Sequence, residues 1–410
     1  MGFYNYFYSS STSPEVLYNI EKRNEKFNSE LPLEQQIYDA ESGKTWATYI
    51  EDSVLEQIGA LVYAYNRGVE ADIGVFERQR ERIDANIASI RAEAKKMKIS
   101  ADRYTSLVYG DYVGIKTVEN ILEMSCIAQN YYEYYRCNVS LTEDEYNSYL
   151  NGETDRISFA EYIACKITFY SLQELDDFVR ENNGFSTLTA ENFSIVIDEI
   201  STDFLTDLTE FSGHRSECFD NPKIADWAFA KNRKAGDITF ITDEENLFVY
   251  ILMAHSDTVV KTDITCSARE LTLRKNDFET PESFENTKNL IVQKLNQSSN
   301  PEYDMAVLCD IYMNNDTDSN SGGLVTCIEK SDSAANAWLY ESDRQNGEFT
   351  VLSNNDNYYI LMYSDKKESW RFAAESAYAS DKLDKATKQV SVKKLKAFKH
   401  TGSVWTENNG

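Results

Sequence analysis

The chain has 410 residues, with 68 acidic against 41 basic side chains and a net charge of −27. That length calls for roughly two to four folding units, and a 42% hydrophobic fraction excludes a disordered chain. The acidic field repels nucleic acid and anionic lipid, so neither is expected as a general partner, whereas cationic or unfolded basic clients would suit it.

The opening Met1-Gly-Phe-Tyr-Asn-Tyr-Phe-Tyr8 has neither the basic start nor the apolar core of a signal peptide. Tyr6 stands where a myristoylation motif wants Ser or Thr. A start on aromatics reads as what is left behind a removed membrane anchor. Helical stripes follow. Ile50, Val54, Ile58, Leu61 and Tyr65 recur every three or four residues. Phe76, Ile83, Ile87, Ile90, Ala94 and Met97 make a second stripe, and Val118, Ile121, Leu122, Ser125, Ala128 and Tyr132 a third. Thr142-Glu-Asp-Glu145 fits a capping box that opens a further short helix. Residues 1–140 are therefore expected to form a helical domain without visible chemistry.

Past residue 155 the pattern becomes mixed. Strands are expected at 162–169 and 248–253, and a helix over 172–181. An internal repeat then stands out. Trp227-x5-Arg233-x2-Gly236-x2-Thr239 recurs as Trp338-x5-Arg344-x2-Gly347-x2-Thr350. The register is read without gaps to Asn246 and Asn357, and an upstream pair, 164–169 against 268–273, matches as well. Each copy reads as a helix stopped by a glycine in the left-handed region, then a closing strand. The expected fold class is α+β, with one mixed unit over 141–255, a second over 256–366, and a helix with a basic tail over 367–410. The paired tryptophans are expected as core anchors between helix and sheet.

Chemistry-bearing motifs are few. Seven cysteines are scattered without CxxC spacing, and apolar neighbours mark most of them as buried free thiols rather than zinc ligands. Asp316-Thr-Asp318-Ser-Asn320-Ser-Gly322 has the look of a calcium loop but lacks the glycine and glutamate an EF-hand needs, so it reads as a polar turn. His214 is expected to be an exposed loop residue. There is no P-loop and no GxGxxG, and no cofactor or metal is expected. Six lysines and no acid lie between Lys385 and His400, which reads as a solvated tail. The 27 tyrosines suit half-exposed positions, or a surface that grips peptides.

Several segments taken together resemble the parvulin-type peptidyl-prolyl isomerase domains of PrsA- and SurA-like foldases. Ala268-Arg-Glu-Leu-Thr-Leu273 is similar to the family's first strand, Ser321-Gly-Gly-Leu324 to its turn, and Asn336-Ala-Trp338-Leu-Tyr340 to its helix. Asn346-Gly-Glu-Phe-Thr350 is similar to its bend and Asn357-Tyr-Tyr-Ile-Leu361 to its last strand. The N-terminal helices and a C-terminal helix from Trp370 resemble the chaperone part of the same family, so the likeness spans most of residues 40–385.

The resemblance implies degenerate isomerase positions. The family's first histidine falls on Glu270 (Lys166 in the first copy), and its closing-strand histidine on Tyr359 (Phe248 in the first copy). Its pocket methionine and phenylalanine fall at about Ser331 and Ala335, and its polar residue near Asn315 or Asp316. Prolyl isomerisation must cross a barrier of about 20 kcal/mol, lowered by seating the ring in an apolar pocket and polarising the imide. Ser and Ala in place of the pocket residues, and two lost imidazoles, take those means away, so no catalytic residue is assigned. Tyr359, Trp338 and Phe349 are the candidate peptide-binding residues. The expected function is an extracytoplasmic, membrane-anchored foldase or chaperone that holds unfolded or extended polypeptides. Two alternatives stand beside it: an active isomerase with a rebuilt site, and a cell-surface binding or structural module, since fold does not determine function.

Overall fold

A computed structural model describes residues 2–388 apart from 25–26, 183–184, 186, 216–217, 219–220, 245 and 314–320. The chain is α+β, and the paired strands are antiparallel. Helices dominate the first third: α1 (Gly2–Ser11), α2 (Pro14–Arg23), α3 (Trp46–Glu70), α4 (Glu77–Lys96), α5 (Ala101–Tyr109) and α6 (Ile115–Cys137), with a small hairpin of β1 (Ile37–Asp39) and β2 (Lys44–Thr45) before α3. The opening aromatics form α1, and Phe3 and Tyr4 join Ile50, Val54, Ile58, Ile121 and Met124 in one core between α1, α3 and α6. The second expected stripe lies on α4, which buries Ile83, Ile87 and Ala94; Phe76 and Met97 flank that helix at its two caps. Two connecting helices follow, α7 (Glu143–Gly152) and α8 (Thr154–Ile157). The capping box is formed: the Glu145 amide donates to Thr142 Oγ1 at 3.3 Å, and the Thr142 amide to Glu145 Oε2 at 2.8 Å.

Two mixed units come next. The first runs β3 (Phe159–Thr168), α9 (Leu172–Glu181), α10 (Phe193–Asp203), β4 (Leu205–His214), α11 (Pro222–Ala228), β5 (Ile238–Asp243) and β6 (Phe248–Ala254). The second runs β7 (Ile264–Arg274), α12 (Pro281–Gln297), α13 (Pro301–Tyr312), β8 (Leu324–Ile328), α14 (Ala334–Leu339), β9 (Phe349–Ser353) and β10 (Asn357–Glu368). Their sheets have the same strand order, β4-β3-β6-β5 and β8-β7-β10-β9. Alternation along the strands sends one set of side chains to each face. In the first unit Cys165, Ile167, Val249 and Ile251 meet α9 and α10, while Ala160, Tyr162, Ala164 and Leu252 meet α11. In the second, Leu271, Leu273, Ile360 and Met362 meet α12 and α13, while Cys266, Ala268, Leu361 and Tyr363 meet α14.

The repeat is structural, but its register is not the gapless one. Asp243 pairs with Phe248 across the residues 244–247, whereas the Asn354 amide donates to the Asn357 carbonyl at 3.1 Å across only 355–356. The second turn is thus shorter, and every later position shifts. Tyr250 pairs with Lys166 and Ile241, and Tyr359 pairs with Thr272 and Leu352. Tyr250-Ile-Leu-Met253 therefore superposes on the identical Tyr359-Ile-Leu-Met362. By the same ladders Ala164 matches Glu270 and Lys166 matches Thr272, so the expected pairings of Lys166 with Glu270 and of Phe248 with Tyr359 are each corrected by two positions.

The last helix, α15 (Ser369–Lys388), packs against α3, α6, α7 and α8. Trp370 joins Tyr146, Tyr149 and Ile157, and Leu383 joins Ala64 and Tyr131. His214 is not the exposed loop residue expected. It ends β4 at 1% exposure, with Nδ1 3.1 Å from the Ser158 carbonyl and Nε2 3.1 Å from Ser369 Oγ, so it ties the first unit to α15.

Candidate functional site

A polar pocket of about 800 Å³ opens on the α11 face of the first unit. Its floor is the sheet: Ala164 and Lys166 on β3, Asp207 and Thr209 on β4, Phe248 and Tyr250 on β6. Its walls are the first turn of α11 and the β5–β6 turn. Asn221 joins these two walls. Its Oδ1 accepts from the Lys223 amide at 3.0 Å, capping a helix that starts on Pro222, and its Nδ2 donates to Asp243 Oδ2 at 3.2 Å. Asp243 also takes the Asn246 amide and Nδ2 at 3.1 and 3.0 Å, so one carboxylate holds the turn closed.

Both lysines of the pocket are already engaged. Lys166 Nζ lies 3.3 Å from Asp207 and 5.3 Å from the centre of the Phe248 ring. Lys223 Nζ donates to the Thr242 carbonyl at 3.1 Å. The Phe248 and Tyr250 rings meet edge to face at 6.0 Å. Burial pushes the Tyr250 phenol above its ordinary range, and the nearby Asp243 charge adds to the rise. Among the described residues no histidine lines the pocket. An aromatic pair rimmed by ions of both signs can hold a chain.

In the second unit the corresponding face carries Glu270, Thr272, Asn357 and Tyr359. Thr272 Oγ1 donates to Glu270 Oε1 at 3.3 Å, and the Tyr359 hydroxyl accepts from Asn357 and Asn354 at 2.9 and 3.2 Å. Glu270 and Tyr359 are diagonal neighbours on adjacent strands, with Thr272 opposite Tyr359. Ala335 sits in the first turn of α14 and packs on that same face, where the first unit has Ile224. So Glu270, Ala335 and Tyr359 are brought to one face. Asp316 and Asn315 lie outside the described residues, as does most of the polar run to Gly322.

The expected peptide-binding trio divides. Trp338 is on the α14 face with Tyr359, but Phe349 pairs with Met362 and packs with it toward α12 and α13. A strand changes face at every residue, and Phe349 is out of phase with the other two. Trp227 and Trp338 pack against the helix–sheet cores from their margins: each is half-buried, with an arginine stacked on its ring, while Phe229 and Leu339 fill the interior.

Two features went unread in the sequence. Lys223, Asp243 and Tyr250 line the pocket, and the repeated Tyr-Ile-Leu-Met tetrapeptide could have pointed to Tyr250. Arg269 is 1% exposed in the middle of β7, where the first unit has Ile163. Its Nη1 donates to the Gly322 carbonyl at 2.8 Å, Nη2 approaches Cys137 Sγ at 3.2 Å, and Glu302 lies 3.5 Å from Nε. Burial pushes the Cys137 thiol up to about 12, so it stays protonated beside that guanidinium. A second polar cavity, about 450 Å³, lies over this cluster between the end of α6, the second sheet and α15.

None of the seven cysteines forms a disulfide. Among the described residues no three His, Cys, Asp or Glu side chains are grouped to hold a metal ion, and no helix is long and apolar enough to cross a membrane. A scan against protein-family models and a search of curated proteins each return no match to this chain.

Proposed function

We propose that this chain is a holder of extended polypeptides, working outside the cytoplasm and anchored to a membrane, in which two parvulin-like units serve as binding platforms rather than prolyl isomerases. The observation that carries the reading is the pocket between the first sheet and α11. It is large enough for one or two side chains of a client, is floored by Phe248 and Tyr250, and has no imidazole among the described residues that line it. The same face of the second unit presents Glu270 and Tyr359 where the resemblance implies histidines. Two platforms in one chain would engage one client at two points and raise its apparent affinity without new contacts.

Two measurements test this. In a proline-peptide isomerisation assay the protein should leave the uncatalysed rate unchanged. In a light-scattering assay it should suppress aggregation of a reduced, unfolded client at near-stoichiometric ratio, and the double variant Phe248→Ala, Tyr250→Ala should suppress it less. A clear isomerase rate that Glu270→Ala abolishes, or a client that aggregates as fast with the protein as without it, would overturn the reading.

A further inference from the structure

We propose that the outer edge of β4 takes up an extended, lysine- or arginine-rich segment of another polypeptide as a fifth strand of the first sheet. This rests on the reading above and names both its chemistry and its place.

The edge is long and regular. Among the described residues β4 pairs with β3 alone, from Phe159 opposite His214 to Thr168 opposite Leu205, without a bulge. Its counterpart in the second unit, β8, is half as long, breaks register between Cys266 and Ala268, and is covered by the start of α15. An unpaired edge exposes a row of backbone donors and acceptors, and proteins ordinarily blunt it with lysine, proline, a bulge or a covering element. β4 contains no lysine and no proline. It also shows Leu205 and Leu208 at 60% and 55% exposure. Among the described residues, one edge is thus covered while no strand pairs with the outer side of its structural twin.

Charge selects the occupant. Between Glu181 and His214 there are seven carboxylates and no lysine or arginine. Asp198, Glu199 and Asp203 lie on α10, and Asp207 and Glu210 on β4 itself, so both faces of an added strand would border acids. The nearest cation on the sheet, Lys166, is already paired with Asp207 at 3.3 Å. Backbone pairing would supply affinity and alternate cationic side chains the selectivity. Side chains on one face of the added strand would lie next to Asp207 and Thr209, at the mouth of the pocket.

The test is fluorescence anisotropy of the full chain with a labelled twelve-residue peptide alternating Lys with Thr or Val. Comparison peptides carry Glu for Lys, or N-methyl groups on alternate residues in either phase to block strand pairing. Leu208→Pro and Thr209→Pro are made together with it. Adjacent residues of an edge strand point their N–H groups to opposite sides, so whichever variant melts like the parent reports on the outer edge. The expected result is at least tenfold weaker binding for the Glu peptide, for one or both N-methylated peptides and for the folded proline variant, with affinity falling as salt rises. Equal binding by the Glu peptide or by both N-methylated peptides overturns the proposal. So does a dimer in sedimentation, without peptide, that the folded proline variant dissolves, since the edge would then belong to a second copy. If the folded proline variant still suppresses client aggregation as well as the parent, this site is wrong and the holding function stands. If the parent suppresses nothing, the holding function is wrong, and the peptide titration alone decides the edge.

Discussion

The guanidinium of Arg344 lies 4.0 Å from the centre of the Trp338 ring while its Nε donates to the carbonyl of that same tryptophan at 3.0 Å. Arg233 repeats both contacts on Trp227, at 4.3 and 3.0 Å, and each arginine also pairs with the acid four residues on, Glu348 or Asp237. The arginine thus closes the end of the short helix by capping a carbonyl and covering a half-buried ring at once. Removing it in either unit takes away a cation–π contact and a charged hydrogen bond. Arg344→Ala and Arg233→Ala are each expected to cost about 1–2 kcal/mol, read by urea denaturation. A cost in one unit and none in the other would show that the motif has a different role in each.

The glycines that follow are alike in backbone but not in surroundings. Gly236 and Gly347 have φ of +83° and +84°, and their amides donate to the carbonyls of Ala254 and Tyr363. A Cβ at 236 would meet only Ala190 at 3.6 Å, whereas one at 347 would run into Pro301 Cγ at 2.6 Å. Gly236→Ala should cost about 1–2 kcal/mol of left-handed strain. Gly347→Ala should cost clearly more, because α13 has to shift as well. Equal melting temperatures for the two variants would show that the proline end of α13 yields freely.

The buried charges at the junction of α6, α13 and β7 should be strongly coupled. Arg269 and Glu133 have side-chain exposures of 2% and 0%, and Glu302 one of 12%. Arg269→Ala leaves Glu302 without its cation and buried Glu133 with Arg136 alone, and is expected to cost about 3–5 kcal/mol. The triple change Arg269→Met, Glu133→Gln, Glu302→Gln should recover most of that loss. Chemical denaturation of the two proteins decides it; a triple variant no more stable than the single one would rule out charge as the reason.

Acid should loosen the attachment of α15. Arg156 on α8 grips Asp381 with two bonds, 2.7 and 2.9 Å, and this holds the Asp381 carboxyl below its ordinary range. A depressed carboxyl stabilises the fold above its unfolded pKa and loses that contribution as pH falls through the folded value. Asp381→Asn should therefore be less stable than the parent near neutrality, by about 0.5–1 kcal/mol for a pair this exposed. The two curves should converge below about pH 4. A difference that persists undiminished at pH 3 would assign the effect to something other than this ion pair.

Element types were well marked in the sequence, because helix and strand leave different apolar periods. The stripes on α3 and α6, the helix α9 and the two apolar closing strands fall where their spacing puts them. Register was harder to read. Trp, Arg, Gly and Thr share offsets in both copies, but a two-residue difference in a turn leaves that motif untouched and moves every position after it, so Tyr359 was matched to Phe248 instead of Tyr250. Face membership followed the same error, and Phe349 was grouped with residues on the far side of its sheet. The burial of His214 and Arg269 was illegible for another reason: each depends on partners far along the chain, Ser369 for one and Glu133 for the other.

The position of α15 has a consequence for how the protein is made. Leu383 completes a core whose other members include Ala64 and Tyr131, and Trp370 fills the gap beside Tyr146 and Ile157. During synthesis the helical first third emerges early yet stays unsealed until α15 has left the ribosome, whereas each sheet closes on its own residues. A nascent chain stalled far enough past Ala254 for β6 to have cleared the exit tunnel should carry a finished first sheet on an amino-terminal region that proteases still cut.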